Sequence, residues 1–197
     1  MHAEEQVMAA LRRVAANDLS ALLFSVRVPG ESTMLAGRGE TKIARVPFDD
    51  PDPACAAHAA VYRLRADAGG ILTARQPWAS RLARLPEPMP AVFDEQVRQL
   101  GQRVERFSSD AVRGGANAFL VNDGVLIIGF TAARAVLNAE LLEKCAKAYL
   151  LASLTGRSIG RIPMLIRIVA GRRLRKDQKR AAEFYSRGEM PPDFSTY

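Results

Sequence analysis

Histidine and cysteine are scarce in this sequence, which has two of each in 197 residues. Cys55 and Cys145 fall in predicted helices and show neither CxxC nor histidine spacing. We interpret them as buried free thiols rather than as metal ligands or a redox pair. Because His2 and His58 are the only histidines, a metal site built from three imidazoles is excluded.

Long apolar runs are also lacking. Charges such as Lys42 and Arg45 interrupt each candidate before it reaches the length of about 20 residues that spans a bilayer. The first residues, MHAEEQVMAALRR, do not combine a basic leader, an apolar stretch and a cleavage site, as a secretory signal would. We therefore expect a cytoplasmic protein without a membrane partner.

The composition is that of a globular protein, with 48% hydrophobic and 25% charged residues, and the length suits one domain. We predict a domain over residues 1–170. Residues 171–197 would form a basic C-terminal helix and tail, packed on the domain or at a subunit contact. Much of the net charge of +7 lies after Arg157. Since no helix-turn-helix, zinc-finger or RNA-binding signature accompanies this charge, we do not expect nucleic acid as a partner.

The most informative stretch is 119–152. Apolar FLV and VLIIGF flank Asn122-Asp123-Gly124, which predicts a tight turn between two buried strands. Thr131 is predicted to cap a long helix. Apolar positions recur along that helix at helical spacing: Ala135, Ala139, Leu142, Ala146 and Tyr149.

Elsewhere the residue pattern predicts both helices and strands, which indicates a single α/β or α+β domain. The predicted helices cover residues 3–16, 54–66, 92–104 and 172–187, with a shorter helical stretch through Trp78 and Leu82. The predicted strands cover residues 19–28, 33–36, 71–74 and 162–169. Prolines make the segment 45–55 irregular. GRGE at 37–40 is interpreted as a β-turn rather than a phosphate loop, because no helix follows it directly, and the chain after Gly188 as a loose end.

Four segments, in order over about residues 5–155, resemble motifs of the class II aldolase/adducin family. The NDG hairpin and its helix are similar to the family's asparagine-histidine-glycine hairpin. His58-x-x-Val61-Tyr62-Arg63-x-Arg65-x-Asp67 resembles a helix motif of the family. ILTARQPWASRLA, 71–83, stands where the family has an H-x-H strand, and FSVRVPG, 24–30, is like the end of its G-N-I-S-x-R strand.

The resemblance implies a fold, an assembly and a chemistry. The fold would be a three-layer α/β/α sandwich around a largely antiparallel sheet. The chain would form a homotetramer with sites near subunit interfaces. Relatives with aldolase, epimerase or decarboxylase activity use a divalent metal, usually zinc, surrounded by three histidines and a glutamate, and the metal acts as a Lewis acid.

This sequence departs from the family at the site. Thr73 and Arg75 stand at the two H-x-H positions, Asp123 at the hairpin histidine, and Ala54 at the glutamate. Leu22-Leu23 replaces a pair that helps to hold a substrate phosphate. Threonine is a poor zinc ligand and arginine is a fixed cation that would repel one. We therefore expect neither a bound metal nor another cofactor.

Side chains that once bound one metal must project toward a shared point. We therefore hypothesise that Arg75 and Asp123 form an ion pair in place of the metal, since a guanidinium matches a carboxylate. Asp123 could instead only stabilise the turn. The pocket could bind a small anion through Arg38 and Arg75. His58 matches a position that is not a metal ligand, and we predict that it is packed or hydrogen-bonded rather than catalytic.

Two functions fit these features. The chain could be a non-catalytic binding or assembly module that has lost zinc-dependent aldolase chemistry. It could instead be a divergent lyase of aldolase, epimerase or decarboxylase type, acting on a small anionic carbonyl compound or a sugar phosphate with a rebuilt site. In the second case Arg75 would bind the anionic group and Asp123 would serve as a base. Fold alone cannot choose between them, because function lies in the site.

Overall fold

The computed structural model describes residues 3–16, 20–38, 43–192 and 194. The strands are β1 (Ala21–Arg27), β2 (Thr33–Gly37), β3 (Ala44–Pro47), β4 (Gly70–Ala74), β5 (Met89–Pro90), β6 (Arg103–Arg106), β7 (Ala118–Val121) and β8 (Gly124–Gly129). The α-helices are α1 (Ala3–Ala16), α2 (Ala56–Leu64), α3 (Asp94–Gln99), α4 (Ser109–Arg113), α5 (Ala132–Ser153) and α6 (Met164–Ser186). Two 3-10 helices cover Pro53–Cys55 and Ala79–Arg84.

The strands form one sheet in the order β3-β2-β1-β4-β8-β7-β6-β5. Neighbouring strands are antiparallel except for β6 and β7, which pair in parallel. The central strands β1, β4 and β8 are apolar on both sides, as strands covered by helices on both faces must be. The predicted, largely antiparallel sheet is confirmed.

Side chains of β8 show how the sheet separates two cores. Val125 and Ile127 lie in a core that includes residues of α1 and α5, whereas Leu126 and Ile128 lie in a second core with residues of α2 and α4. Successive side chains of a strand point to opposite faces, so each face of the sheet has its own helical layer. The predicted α/β/α sandwich is confirmed.

The stretch identified as most informative has the predicted structure. β7 and β8 form the hairpin, with Val121 paired to Gly124. The Thr131 hydroxyl accepts a hydrogen bond from the backbone N–H of Arg134, 3.1 Å away, and α5 follows. Cys55 and Cys145 are buried free thiols, as predicted.

The prediction of a strand over 162–169 is wrong, because α6 begins at Met164 and continues to Ser186. A short apolar run does not distinguish a strand from a helix segment by periodicity alone. Here Pro163 precedes the first helical residue, and the polar sequence beyond Ala170 continues the helix. The predicted boundary between residues 170 and 171 thus lies within one helix.

Two other segments were predicted incorrectly. The helix expected over 92–104 is limited to α3, and its last residues belong to β6. The segment 45–55 was expected to be irregular, yet β3 uses its first residues as an edge strand, where Pro47 costs no pairing inside the sheet. The helix expected over 54–66 is confirmed as α2, and a 3-10 turn at Pro53–Cys55 precedes it. The β-turn expected at 37–40 lies partly outside the described residues.

The C-terminal segment is attached to the domain through buried side chains. Leu174, Ala181 and Tyr185 of α6 are buried, and the Tyr185 hydroxyl donates to the carbonyl of Phe130 at 2.9 Å. Phe194 is buried beside the Phe130 ring, so the expected loose end is wrong for this residue.

In the described part of the chain, no helix has the length and apolar character needed to cross a bilayer.

Candidate functional site

Two of the site residues predicted from the sequence, Arg75 and Asp123, lie together at one end of the sheet. Arg75 directly follows β4, and Asp123 lies in the turn between β7 and β8. β4 and β8 are antiparallel neighbours, with Ala74 paired to Val125. The carboxyl end of β4 therefore lies beside the hairpin turn.

The hairpin turn depends on two special backbone positions. Asn122 has a φ of 45°, a left-handed conformation that asparagine tolerates better than most residues. Gly124 lies against β4, where an added Cβ would be 2.6 Å from the carbonyl oxygen of Ala74. Since any larger residue would push the strands apart, this glycine lets the turn lie close to Arg75.

The ion pair hypothesised from the sequence is present. Nη2 of Arg75 lies 2.6 Å from Oδ2 of Asp123. The two side chains are 58% and 66% exposed, so water screens their attraction, and such a pair contributes about 0–1 kcal/mol. A guanidinium has five N–H donors, and pairing with one carboxylate leaves donor capacity for a second anion.

Thr73, at the other position of the lost H-x-H pair, is engaged by a residue from a distant segment. Its hydroxyl lies 2.8 Å from Nε2 of His58 on α2. Nδ1 of the same imidazole lies 2.7 Å from the Ser25 hydroxyl on β1, which is 3.1 Å from the Tyr62 hydroxyl. The prediction that His58 is hydrogen-bonded is confirmed, but its contact with Thr73 was not foreseen.

Burial determines the charge state of this network. His58 is fully buried, and burial lowers the pKa of its imidazole to about 3. Burial also raises the pKa of the Tyr62 phenol. The imidazole is therefore neutral at physiological pH, with one donor and one acceptor nitrogen, and the phenol keeps its proton.

Ala54 and Arg38 lie near the start of α2. Ala54 is exposed within its 3-10 helix, and its backbone N–H donates to the Asp52 carboxylate at 2.9 Å. Its methyl group cannot replace an acid–base carboxylate. Burial raises the pKa of the neighbouring Cys55 thiol, and the charge of Arg38 acts in the opposite direction. The use of Arg38 and Arg75 in one anion site stays a prediction.

The side chains at the three metal-ligand positions do not fit a divalent cation. The Asp123 carboxylate is bound by a guanidinium, the Thr73 hydroxyl is bound by His58, and Arg75 is itself cationic. Zinc requires three or four N, S or O donors that converge on one point. Among the described residues, no three His, Cys, Asp or Glu side chains form such a group.

Comparison with known proteins agrees with this fold. The most similar solved structures include an L-fuculose 1-phosphate aldolase, with 20% identity and a TM-score of 0.75, covering 88% of this chain and 96% of that one. YgbL of Klebsiella pneumoniae has 19% identity and a TM-score of 0.70, covering 86% and 99%. L-fuculose-1-phosphate aldolase from Thermus thermophilus has 19% identity and a TM-score of 0.63, covering 79% and 97%.

At these identities the structural likeness shows the fold alone. No curated protein matches the sequence. The family model described as "Class II Aldolase and Adducin N-terminal domain" matches residues 8–150, which is most of the chain. The protein therefore belongs to the class II aldolase and adducin family.

Proposed function

We propose that this protein is a non-catalytic binding and assembly module on a class II aldolase fold, without a bound metal, and that it takes a small oxyanion at Arg75. The observation that carries the proposal is the 2.6 Å contact between Arg75 and Asp123, at two of the positions where the family binds its metal. A guanidinium in that place provides hydrogen-bond donors and positive charge, the two features that bind carboxylates and phosphates. We also propose a cytoplasmic location.

The alternative, a divergent lyase, requires Asp123 as a base. One oxygen of that carboxylate is already bound by Arg75, and Ala54 offers no second acid–base group. The neutral, buried His58 is a weak base as well, because its pKa is about 3. These features favour binding over carbon–carbon bond cleavage.

The decisive experiment combines metal analysis with anion titration of the purified protein. We expect no stoichiometric zinc, iron or manganese, and we expect calorimetry to detect binding of inorganic phosphate that Arg75→Gln removes. Arg113→Gln is the matched control, because Arg113 is also 58% exposed and also pairs with a carboxylate, that of Asp110. Stoichiometric metal, or phosphate binding that is equal in both variants, would contradict the proposal.

Self-assembly is the second part of the proposal, and it rests on an exposed apolar face. Exposed large apolar residues concentrate at the end of α5 and the start of α6: Leu151, Leu154, Met164, Leu165, Ile166 and Val169. Leu154 is 82% exposed and Leu165 is 73% exposed. Concentrations of this kind mark interaction sites in soluble proteins.

The charge around this face suggests which surface of a second copy it contacts. Residues 151–176 contain no Asp or Glu. They contain many cations: Arg157, Arg161, Arg167, Arg172, Arg173, Arg175 and Lys176. Asp94 and Glu95 of α3 also lie beside Leu165 and Ile166, but the cations outnumber these carboxylates, so two such faces would repel each other. The loop before the first 3-10 helix exposes Asp49, Asp50 and Asp52, and a contact between this loop and the cationic face of a second copy would be heterologous. Heterologous contacts that close produce rings, such as the tetramer of the family.

A charge-swap series tests this contact by light scattering after gel filtration. We expect a tetramer for the unmodified protein and smaller species for Asp49→Lys/Asp50→Lys and for Arg172→Glu/Arg173→Glu. Combining both changes in one chain should restore the tetramer, because the charges are complementary again. Asp110→Lys in α4 is the control. A monomer without any change, or the absence of restoration, would contradict this arrangement.

A further inference from the structure

We infer that Tyr62, Ser25, His58 and Thr73 form a one-directional chain of hydrogen-bond donors, and that the Thr73 hydroxyl at its end binds the oxyanion held by Arg75. The inference rests on the proposed function, since it names a second binding group of the same site. The direction of the chain, however, follows from the network alone and can be tested without any ligand.

The chain has two chemically different ends. At the closed end, Tyr62 is 2% exposed, and among the described residues its hydroxyl has only the Ser25 hydroxyl as a hydrogen-bond partner. At the open end, Thr73 is half-buried on β4, so its hydroxyl can meet a ligand or water. Ser25 and His58 lie between these ends and are both fully buried.

These ends determine the direction in which the protons point. If Ser25 donated to Tyr62, the buried phenolic proton would have no acceptor, and an unsatisfied buried donor costs about 1–3 kcal/mol. If Tyr62 donates to Ser25, Ser25 donates to Nδ1 of His58 over 2.7 Å. Nε2 then carries the imidazole proton and donates to Thr73 over 2.8 Å. Each buried donor has an acceptor in this arrangement alone.

The direction leaves the Thr73 hydroxyl proton available at the open end. Its oxygen accepts from His58, so its own O–H is free to donate onward. Hydrogen bonds in such a chain polarise one another and strengthen the last donor. Thr73 is on β4 and Arg75 directly follows this strand, and side chains two residues apart along an extended segment leave it on the same side. An oxyanion with two acceptor oxygens could therefore contact both.

Burial keeps His58 and Tyr62 of this hydrogen-bond chain in one protonation state. Because the imidazole of His58 faces two hydroxyls and stays neutral, its tautomer does not change over the physiological range. Among the described residues, the imidazole has two hydrogen-bond partners, Ser25 from β1 and Thr73 from β4, and neither is charged. The hydrogen-bond chain therefore presents the Thr73 hydroxyl as its terminal donor at any pH at which the protein is folded and His58 is neutral.

The first test is the tautomer of His58, measured by long-range proton–nitrogen NMR on uniformly labelled protein. His2→Ala assigns the signals, because only two histidines are present. We expect a protonated Nε2 and an unprotonated Nδ1, with no titration between about pH 5 and about pH 8. A protonated Nδ1, or an imidazolium in that range, would overturn the direction of the chain.

The second test measures phosphate affinity of variants by calorimetry. We expect Thr73→Val to weaken binding by about tenfold, the loss that follows when one hydrogen bond to a charged ligand is removed. Thr73→Ser keeps the hydroxyl and should bind like the unmodified protein. Ser25→Ala should weaken binding to a smaller extent, because it breaks the chain without touching the ligand. Thr33→Val, on β2, is the control.

The outcomes separate this inference from the proposed function. If Arg75→Gln removes phosphate binding and Thr73→Val does not change it, the anion site stands and the role of Thr73 is overturned. If phosphate does not bind to the unmodified protein, the binding roles of both residues are overturned, and the tautomer still decides the direction of the chain. If Thr73→Val and Thr73→Ser weaken binding equally, the donor role is contradicted.

Discussion

Nε2 of His58 lies 2.8 Å from the hydroxyl of Thr73, so a helix residue reaches a strand position at which the family has a metal ligand. Replacing this histidine tests how much the contact stabilises the fold. We expect His58→Ala to reduce the free energy of unfolding by about 2–4 kcal/mol, because it leaves a cavity and removes the acceptor of the buried Ser25 hydroxyl proton. Urea unfolding measures the change. His58→Gln, which retains hydrogen-bonding groups and more of the volume, should lose less, and equal losses for the two variants would contradict this account.

The low pKa of His58 predicts that the free energy of unfolding depends on pH. In the folded protein the pKa of His58 is about 3, whereas in the unfolded chain it is about 6.5. Between these values the unfolded state binds the proton and the folded state does not. The free energy of unfolding should therefore fall on acidification below about pH 6.5, by up to about 1.4 kcal/mol per pH unit from this group. His58→Ala should remove that component from the urea-unfolding profile, and parallel profiles for the two proteins would contradict the assignment.

The Arg75–Asp123 pair predicts a change in binding without a large change in stability. Because both side chains are largely exposed, Asp123→Asn should change the free energy of unfolding by less than about 1 kcal/mol. The guanidinium is then no longer neutralised, so phosphate affinity should rise by up to about fivefold, the equivalent of about 1 kcal/mol. Calorimetry and urea unfolding measure the two effects. Asp110→Asn, which releases Arg113, should leave phosphate affinity unchanged, and a fall in affinity for Asp123→Asn would speak against the anion site.

Replacing Gly124 with a larger residue is predicted to strain the β7–β8 hairpin locally. Gly124→Ala would place a Cβ 2.6 Å from the carbonyl oxygen of Ala74, so β8 must move away from β4. We expect a loss of about 1–3 kcal/mol in the free energy of unfolding and weaker phosphate binding, as the turn moves relative to Arg75. Gly160→Ala is the control, since nothing lies within 4 Å of a Cβ at that position. If the two variants are equally stable, the close approach of the strands is not required.

The sequence predicted those parts of the fold that local pattern determines. The hairpin, its cap at Thr131 and α5 follow from apolar runs, turn residues and helical spacing. The Arg75–Asp123 contact was also predictable, because both positions correspond to ligands of one metal. The strand expected over 162–169 failed because periodicity over so few residues does not separate a strand from a helix.

The contact between His58 and Thr73 could not be predicted from the local pattern. It depends on how α2 packs across β1 and β4, which are remote from each other in the sequence. One signal was present: Ser25, Thr73 and His58 are polar residues in otherwise apolar segments. Buried polar groups are nearly always hydrogen-bonded, so such residues in facing elements are candidates for one shared network. The local sequence pattern does not predict which helices and strands pack against each other.

Tyr185 of the C-terminal helix α6 covers part of the guanidinium of Arg27. The guanidinium donates to the carbonyls of Tyr62, Arg65 and Ala68 and lies 5.5 Å from the ring centre of Tyr185. The family match ends at residue 150, well before this tyrosine. A fragment that ends at residue 150 would lack Tyr185, so one side of the Arg27 guanidinium would be exposed. It would also lack the hydroxyl that donates to the Phe130 carbonyl. The C-terminal helix, outside the family-model match, therefore completes the surroundings of this partly buried guanidinium.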